Sequence, residues 1–340
     1  MKALFIGGTG TISTEVTKLF VKNGGDLYLL NRGQRKRQIP EGVKVLIGDI
    51  NDEEGVAKLL EGHFFDVIVD FQCFNAEQAE RDFRLFHGKT KQYIVISSAA
   101  GYMKPCANSP IVESMPLRNP YWEYARDKIA LETVMHRHFR EDNFPVTIVR
   151  PSHTYGERNQ VVDCWTVLTR IRKGKPVIIH GDGTTLWTLT HSRDFAKAFV
   201  GLMGNIHAIG DTVHITSDEA LTWNQIFEII ADIFGVKLNA VHVSTEFIAD
   251  TREELRGGYF GDRSNNVVFD NSRIKSYVPD FVAKIPFAEG YKEVVAYYLA
   301  HPELQEEDPD YSAWCDAVAE EHQAAIERVN KRLGNLVYSK

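Results

Sequence analysis

Cysteine is scarce: Cys73, Cys106, Cys164 and Cys315 are the four in a chain of 340 residues. None stands in CxxC spacing, so neither a disulfide framework nor a zinc knuckle is expected, and the reducing cytoplasm is the expected compartment. Long apolar runs are missing too. None approaches the roughly 20 residues that span a bilayer, so no membrane segment is expected. Ala3-Leu4-Phe5-Ile6 follows Met1-Lys2 at once, so no signal peptide is expected. Basic charge is in deficit, with 39 Lys and Arg against 46 Asp and Glu. A nucleic-acid partner is thereby disfavoured, because a dedicated binder carries a basic face. No metal constellation stands out: His136 and His138, two apart, leave a helix on different faces. With 44% apolar and 25% charged residues the chain is neither disordered nor collagen-like.

What is present is an alternation of strand and helix signals. Short apolar runs at Ala3–Ile6, Leu27–Leu30, Val43–Ile47, Val67–Val69, Tyr93–Ile96 and Val146–Val149 lack polar alternation. Parallel strands buried on both faces read this way. Ile12, Val16, Leu19 and Phe20 mark one face of a helix between the first two. The pattern predicts an α/β fold, a Rossmann-type doubly wound parallel sheet with a smaller mixed α/β substrate-binding lobe. The dinucleotide-binding unit is expected over 1–156, with returning elements at about 181–220. An interleaved lobe is expected over 157–300, where Val162–Lys173, Ser192–Met203 and Thr222–Phe234 read as helices and Pro176–Ile179 and Thr212–Ile215 as strands. Residues 301–340 form an acidic helical tail with nine Asp and Glu against four Lys and Arg. Trp314, Val318, Ile326, Val329 and Leu333 could form one stripe of it, packed on the tail's own domain or offered to a partner.

Gly7-Gly8-Thr9-Gly10-Thr11-Ile12-Ser13 lies between the first strand and the first helix. A tight glycine turn there lets backbone N–H groups approach a pyrophosphate at a helix N-terminus. Ser13 replaces the third glycine and is small enough to keep helix and strand close. An Asp or Glu ending the second strand would select NAD; this chain has Asn31-Arg32, followed by Arg35-Lys36-Arg37. NADP is therefore favoured and NAD remains possible, since arginine suits a 2′-phosphate. Asp49 is placed to accept from the adenine amino group. The expected cofactor-binding set is Gly7, Gly10, Thr11, Ile12, Asn31, Arg32, Arg35, Asp49, Ile50, Ser97, Tyr124, Lys128 and Pro151.

Tyr124 and Lys128 stand four apart in a predicted helix, which puts phenol and ammonium on one face. An ammonium favours the phenolate of a tyrosine whose free pKa is about 10. Ser97-Ser98 follow the fifth strand, where a hydroxyl can bond the substrate oxygen.

Together these motifs resemble the extended short-chain dehydrogenase/reductases of the NAD-dependent epimerase/dehydratase type, over roughly residues 1–290. Arg150-Pro151-Ser-His-Thr-Tyr155-Gly156, Gly181-Asp182-Gly183 with Thr190–Asp194, and Gly261-Asp262 with Asp270–Arg273 resemble further family landmarks. The resemblance implies a catalytic Ser98, Tyr124 and Lys128, a carbohydrate substrate with a nucleotide sugar foremost, and a homodimer. Four departures stand out. Ala99-Ala100 replace the acid pair of the dehydratases, which disfavours water loss. His153 replaces a substrate-contacting asparagine, as a substrate contact or a buried structural residue. No arginine stands directly before Gly261-Asp262 to hold a diphosphate, so Arg256 or Arg263 would have to compensate. Asp70-Phe71-Gln72-Cys73 replaces a His-x-Ala-Ala segment, which leaves Cys73 near the nicotinamide or inert in the core. Of Trp165, Trp187 and Trp223, Trp187 is best placed to line a sugar site. The expected activity is epimerisation through a keto intermediate, with NADPH-dependent reduction of a keto sugar or other small carbonyl as the alternative. The Gly-Gly-Thr turn and Asn-Arg-Gly stretch also resemble chloroplast stem-loop RNA-binding proteins of the same superfamily, a minor alternative.

Overall fold

Strands that alternate nothing need cover on both faces, and the chain supplies it by crossing the sheet after almost every strand; the run expected at Val43–Ile47 is the exception, an edge strand whose Val45 and Ile47 are exposed. The computed structural model describes residues 1–33, 39–157 and 159–333. In chain order come β1 (Lys2–Ile6), α1 (Thr11–Lys22), β2 (Asp26–Asn31), β3 (Lys44–Ile47), α2 (Glu53–Leu59), β4 (Phe65–Asp70), α3 (Ala76–Phe86), β5 (Thr90–Ile96), α4 (Glu123–Asp142) and β6 (Val146–Pro151). There follow β7 (His153–Tyr155), α5 (Trp165–Arg172), β8 (Val177–His180), β9 (Leu186–Trp187), β10 (Leu189–His191), α6 (Ser192–Leu202), β11 (Thr212–Ile215), β12 (Leu221–Thr222), α7 (Trp223–Phe234) and β13 (Ala240–Val243). The chain ends with α8 (Thr245–Thr251), the single turn α9 (Arg256–Gly258), α10 (Ser272–Tyr277), α11 (Phe287–Ala300) and α12 (Pro309–Leu333).

Seven strands form a parallel sheet in the order β11-β6-β5-β4-β1-β2-β3. The order reverses between β1 and β4, which opens a crevice at their carboxyl ends. Residue parity sorts the two cores. Ala3, Phe5, Val67 and Val69 pack against Val16 and Phe20 of α1 and Phe195 and Phe199 of α6. Leu4, Ile68, Tyr93 and Val95 pack on the other side against Val56, Leu85, Leu131 and Met135. Ile274 and Phe281, expected in the lobe, belong to the α1–α6 core.

The lobe has its own core, with Trp165, Ile171, Val177, Trp187, Trp223, Ile230 and Val294 all buried. Its strands make only two-stranded pairs: β7 with β10, β9 with β12, β8 with β13. Thr222 caps α7 through a capping box with Gln225, and Gly235 ends that helix at φ +67°. The tail divides. Tyr311, Cys315 and Val318 of α12 are buried, and Arg170 donates to the Ser312 carbonyl at 2.9 Å and to Asp316 at 2.5 Å. Ile326, Val329 and Leu333 are exposed, so the expected stripe packs only along its first half.

Candidate active site

The glycine turn leaves β1 with Gly7 at φ +97° and Gly8 at +82°, a left-handed backbone that favours glycine. A Cβ on Gly8 would stand 2.6 Å from Leu29 Cδ2. Thr17 Oγ1 fixes the turn by donating to the Gly8 carbonyl at 2.9 Å. The Gly10 N–H donates to Ser13 Oγ at 2.7 Å, so the serine in the third-glycine position caps the turn from within.

Beside the turn a cleft of about 220 Å³ is lined by Gly7, Gly10, Asn31, Arg32, Asp49 and Ile50 from the expected set. Asn51, Gln72, Gln78 and Arg81 join them without having been expected. Asn31 Oδ1 is spent on the Gly33 N–H at 2.9 Å, while the exposed Arg32 makes no ion pair among the described residues. Arg35 lies outside the described residues. Gly10, Gln72 and Phe74 also line a larger cavity of about 410 Å³, so the two spaces share a wall.

That cavity is lined by Thr11, Ile12, Ser97, Ser98, Tyr124, Lys128 and Pro151 from the expected set. Tyr124 projects from the first turn of α4, and it and Ser98 both line the cavity. Burial pushes the phenol above its ordinary value, Ser98 opposes this, and the charge of Asp262 adds to it. Lys128, one turn on, is buried and donates to the Cys73 carbonyl at 2.6 Å and the Ile96 carbonyl at 2.7 Å. Burial lowers its ammonium to about 8, against the pull of the Glu132 carboxylate. Ser98 Oγ also accepts the Ala100 N–H at 3.1 Å. The Ser97 hydroxyl instead donates to Glu132, which pairs through two bonds with Arg150 at the end of β6.

The far end of the cavity is aromatic and nearly uncharged. His153 and Trp187 line it with Trp122, Phe269, Thr188 and Asp262. Burial drives His153 down to about 4, so the imidazole is neutral; its Nε2 lies 3.4 Å from Asn159 Oδ1 and its ring 5.0 Å from Trp187. Asp262 lines the cavity with Trp187 and lies 3.8 Å from the buried Lys104. The two arginines expected to hold a diphosphate are elsewhere. Arg256 is bound at the surface to Asp250 at 2.7 Å and Glu253 at 2.8 Å. Arg263 is half-buried against Asp163 and the rings of Tyr259 and Trp223, and does not line the cavity. Glu253 and Asp250, three and six positions back, hold Arg256, and Asp163, 100 positions away, holds Arg263. Trp165 stacks on Tyr298 and Trp223 is core, while Cys73 is buried with its thiol driven far up by burial. Ala99 and Ala100 line the cavity, so no acid pair follows Ser98.

Sequence reasoning missed Gln72, Phe74, Trp122 and Phe269. For Gln72 a signal was present: it stands in Asp70-Phe71-Gln72-Cys73, the segment singled out as a departure from the resembled pattern.

Known proteins agree with this architecture. The chain is 25% identical over 289 residues to the 2′-dehydrokanamycin reductase of Streptomyces kanamyceticus, which covers 83% of this chain and 80% of that one. It is 27% identical over 252 residues to a chloroplast stem-loop binding protein of 41 kDa of Arabidopsis thaliana, over 69% of this chain and 63% of the other. Among solved structures, UDP-glucuronic acid 4-epimerase of Bacillus cereus, in complex with UDP-glucuronic acid and NAD, superposes with a TM-score of 0.72 at 17% identity, over 88% of this chain and 99% of its own. A dTDP-glucose 4,6-dehydratase of Bacillus anthracis in complex with NAD gives 0.73 at 18%, over 89% and 98%. At such identities the likeness shows the fold. The profile of the NAD dependent epimerase/dehydratase family matches residues 3–215, and the chain belongs to that family.

Proposed function

We propose that this protein is a nicotinamide-dependent reductase or dehydrogenase acting at a keto or hydroxyl carbon of a carbohydrate that carries no diphosphate, with NADP(H) preferred. The observation that carries the reading is that Tyr124, Ser98 and the buried Lys128 line one cavity, which shares a wall of Gly10, Gln72 and Phe74 with the cofactor cleft. Among the described lining residues, Lys128 is the one Lys or Arg and Asp262 the one carboxylate. Among the described lining residues, a nucleoside diphosphate would find no cation at the far end. A polyol or an amine, which donates hydrogen bonds, would find Asp262.

The residues present fit the cofactor. Gly7 and Gly8 give close backbone approach, and a Cβ on either would meet Gln72 or Leu29. Asn31, Arg32, Asp49 and Ile50 would hold the adenosine end, with the exposed Arg32 guanidinium to meet a 2′-phosphate; Lys128, Ser97 and Pro151 would hold the other end. When bound, the cofactor supplies or takes up the hydride. In reduction Tyr124 gives its hydroxyl proton to the carbonyl oxygen while Ser98 bonds the same oxygen. The phenol holds that proton before reduction begins, since its ordinary value is about 10 and burial raises it. In oxidation Tyr124 must first lose its proton, a state that the charge of Lys128 favours. The similarity to a reductase of a keto-glycoside along most of both chains supports the reductive direction.

The test is a screen of keto sugars and free glycosides with NADPH and NADH, followed at the nicotinamide absorbance. Stoichiometric cofactor consumption with one of them is the expected result. A change of sugar configuration without net absorbance change would make the protein an epimerase. Tighter NADH than NADPH binding in a fluorescence titration would reverse the cofactor assignment.

A further inference from the structure

Beyond Ser98 the chain continues through Tyr102-Met103-Lys104-Pro105-Cys106. The Met103 and Lys104 N–H groups donate to the Pro116 and Arg118 carbonyls at 2.8 Å each, and Met103 and Cys106 pack against the lobe core. Lys104 is thereby held inside the protein, 0% exposed. An ammonium has three protons to donate and, once buried, needs acceptors for them. Lys104 is poorly served. Among the described residues its Nζ makes no hydrogen bond to an oxygen; Cys106 Sγ lies 3.6 Å away and Asp262 Oδ1 3.8 Å. Cys106 is half-buried, so a small oxidant reaches it, whereas Cys73 and Cys315 are buried. An amine, a thiol and a carboxylate thus meet at the edge of the cavity, which Asp262 lines. Burial pushes the Asp262 carboxyl above its ordinary value, and the charges of Lys104 and then Arg263 oppose this.

We propose that Lys104 and Cys106 are a modification site: a hydroperoxide joins them in a reversible sulfenamide bridge, which takes the negative charge from Asp262. The Cys106 sulfur gives two electrons to the peroxide. The O–O bond breaks, one oxygen joins Sγ as a sulfenic acid, and the other leaves as water or an alcohol with the thiol proton. The Lys104 ammonium passes one proton to Asp262, and the electron pair so freed attacks Sγ. The N–S bond forms, the S–O bond breaks, and the hydroxyl leaves as water with a second proton from the nitrogen. The sulfenamide nitrogen is not basic, so Asp262 keeps its proton. Two reducing thiols reverse the step: they leave as a disulfide, Cys106 regains its thiol, and the Lys104 amine takes the proton back from Asp262. While the bridge stands, the cavity presents a neutral carboxyl, able to donate a hydrogen bond, in place of a carboxylate that only accepts.

The test exposes the full chain to hydrogen peroxide, then unfolds it, alkylates it with iodoacetamide and weighs its tryptic peptides. Trypsin spares a Lys–Pro bond, so the peptide 92–118 carries both residues. Bridging should make it about 2 Da lighter than the reduced, unalkylated peptide, after any oxygen on Met103 or Met115 is subtracted. Cys106 should resist alkylation, and no backbone fragment should separate it from Lys104. Dithiothreitol given before unfolding should restore both the mass and the alkylation. Cys106→Ser should yield no lighter peptide. The infrared difference between oxidised and reduced protein should gain a protonated-carboxyl band and lose a carboxylate band in wild type, and show neither change in Cys106→Ser. Oxygen added to Cys106 with Lys104 left unlinked, or a Cys106 that peroxide leaves untouched, overturns the bridge. A bridge without the carboxyl band overturns its effect on Asp262. No sugar or cofactor enters these measurements, so their outcome is separate from that of the carbohydrate reading.

Discussion

Lys128 is a cation held between two carbonyls in a buried place, and its protonation is coupled to folding. The unfolded chain releases this proton near 10.5 and the folded chain near 8. Between those values the unfolded state holds the extra proton, so the folded state gains about 1.4 kcal/mol per pH unit as pH rises. From pH 8 to 9.5 wild type should gain about 2 kcal/mol relative to Lys128→Met, measured by urea denaturation. A stability difference that stays constant over that range would contradict the depressed ammonium. Tyr124 carries the proton that reduction needs. Tyr124→Phe should lower kcat by about 10²–10⁴-fold, the range of general acid catalysis, with NADPH affinity within twofold. Undiminished turnover would remove the phenol from the mechanism. The pair was legible because a helix puts positions four apart on one face. Its companions Trp122 and Phe269 were not: they meet across the chain, and no local spacing reports such a meeting.

At the scale of elements, the turn between β1 and α1 has the least freedom. Gly8→Ala would need a left-handed alanine and push Leu29 aside, and should cost about 2 kcal/mol or more of stability with loss of cofactor binding. A melting curve and a dinucleotide titration read both effects; an unchanged pair of values would show that the turn can relax. The loop after β2 sets the other cofactor preference. Arg32→Ala should weaken NADPH by about tenfold and leave NADH within twofold, the signature of one charge-assisted contact to a 2′-phosphate. These elements were readable because strands buried on both faces have a recognisable composition. Charge was a poorer guide: a basic residue states that it is paired or solvated, not where. Arg263 answers to Asp163, 100 positions away, and Arg256 to carboxylates on its own surface.

On the scale of the whole molecule the acidic tail is two things. Its first three turns are structural, since Tyr311 reaches Asp163 at 2.9 Å and Arg170 depends on Ser312 and Asp316. Removing residues 320–340 should change stability by less than about 1 kcal/mol. Removing 309–340 should cost about 3 kcal/mol or more, because Arg170 would keep only the Pro176 carbonyl as partner. Urea denaturation of the two truncations decides it, and equal losses would deny the division. The position of β11 reaches further. It lies beside β6 in space, yet the chain between residues 151 and 212 builds much of the lobe before β11 is made. During synthesis the outer edge of β6 therefore stays open until residue 215 has left the ribosome, and by then Trp187 and Thr188 are already part of the nascent chain. The sheet cannot be finished ahead of the substrate wall. A graft that exchanges the lobe for another specificity must splice on both sides of β11, and a cut at residue 156 should yield a fragment with an unpaired strand edge rather than a free-standing cofactor domain.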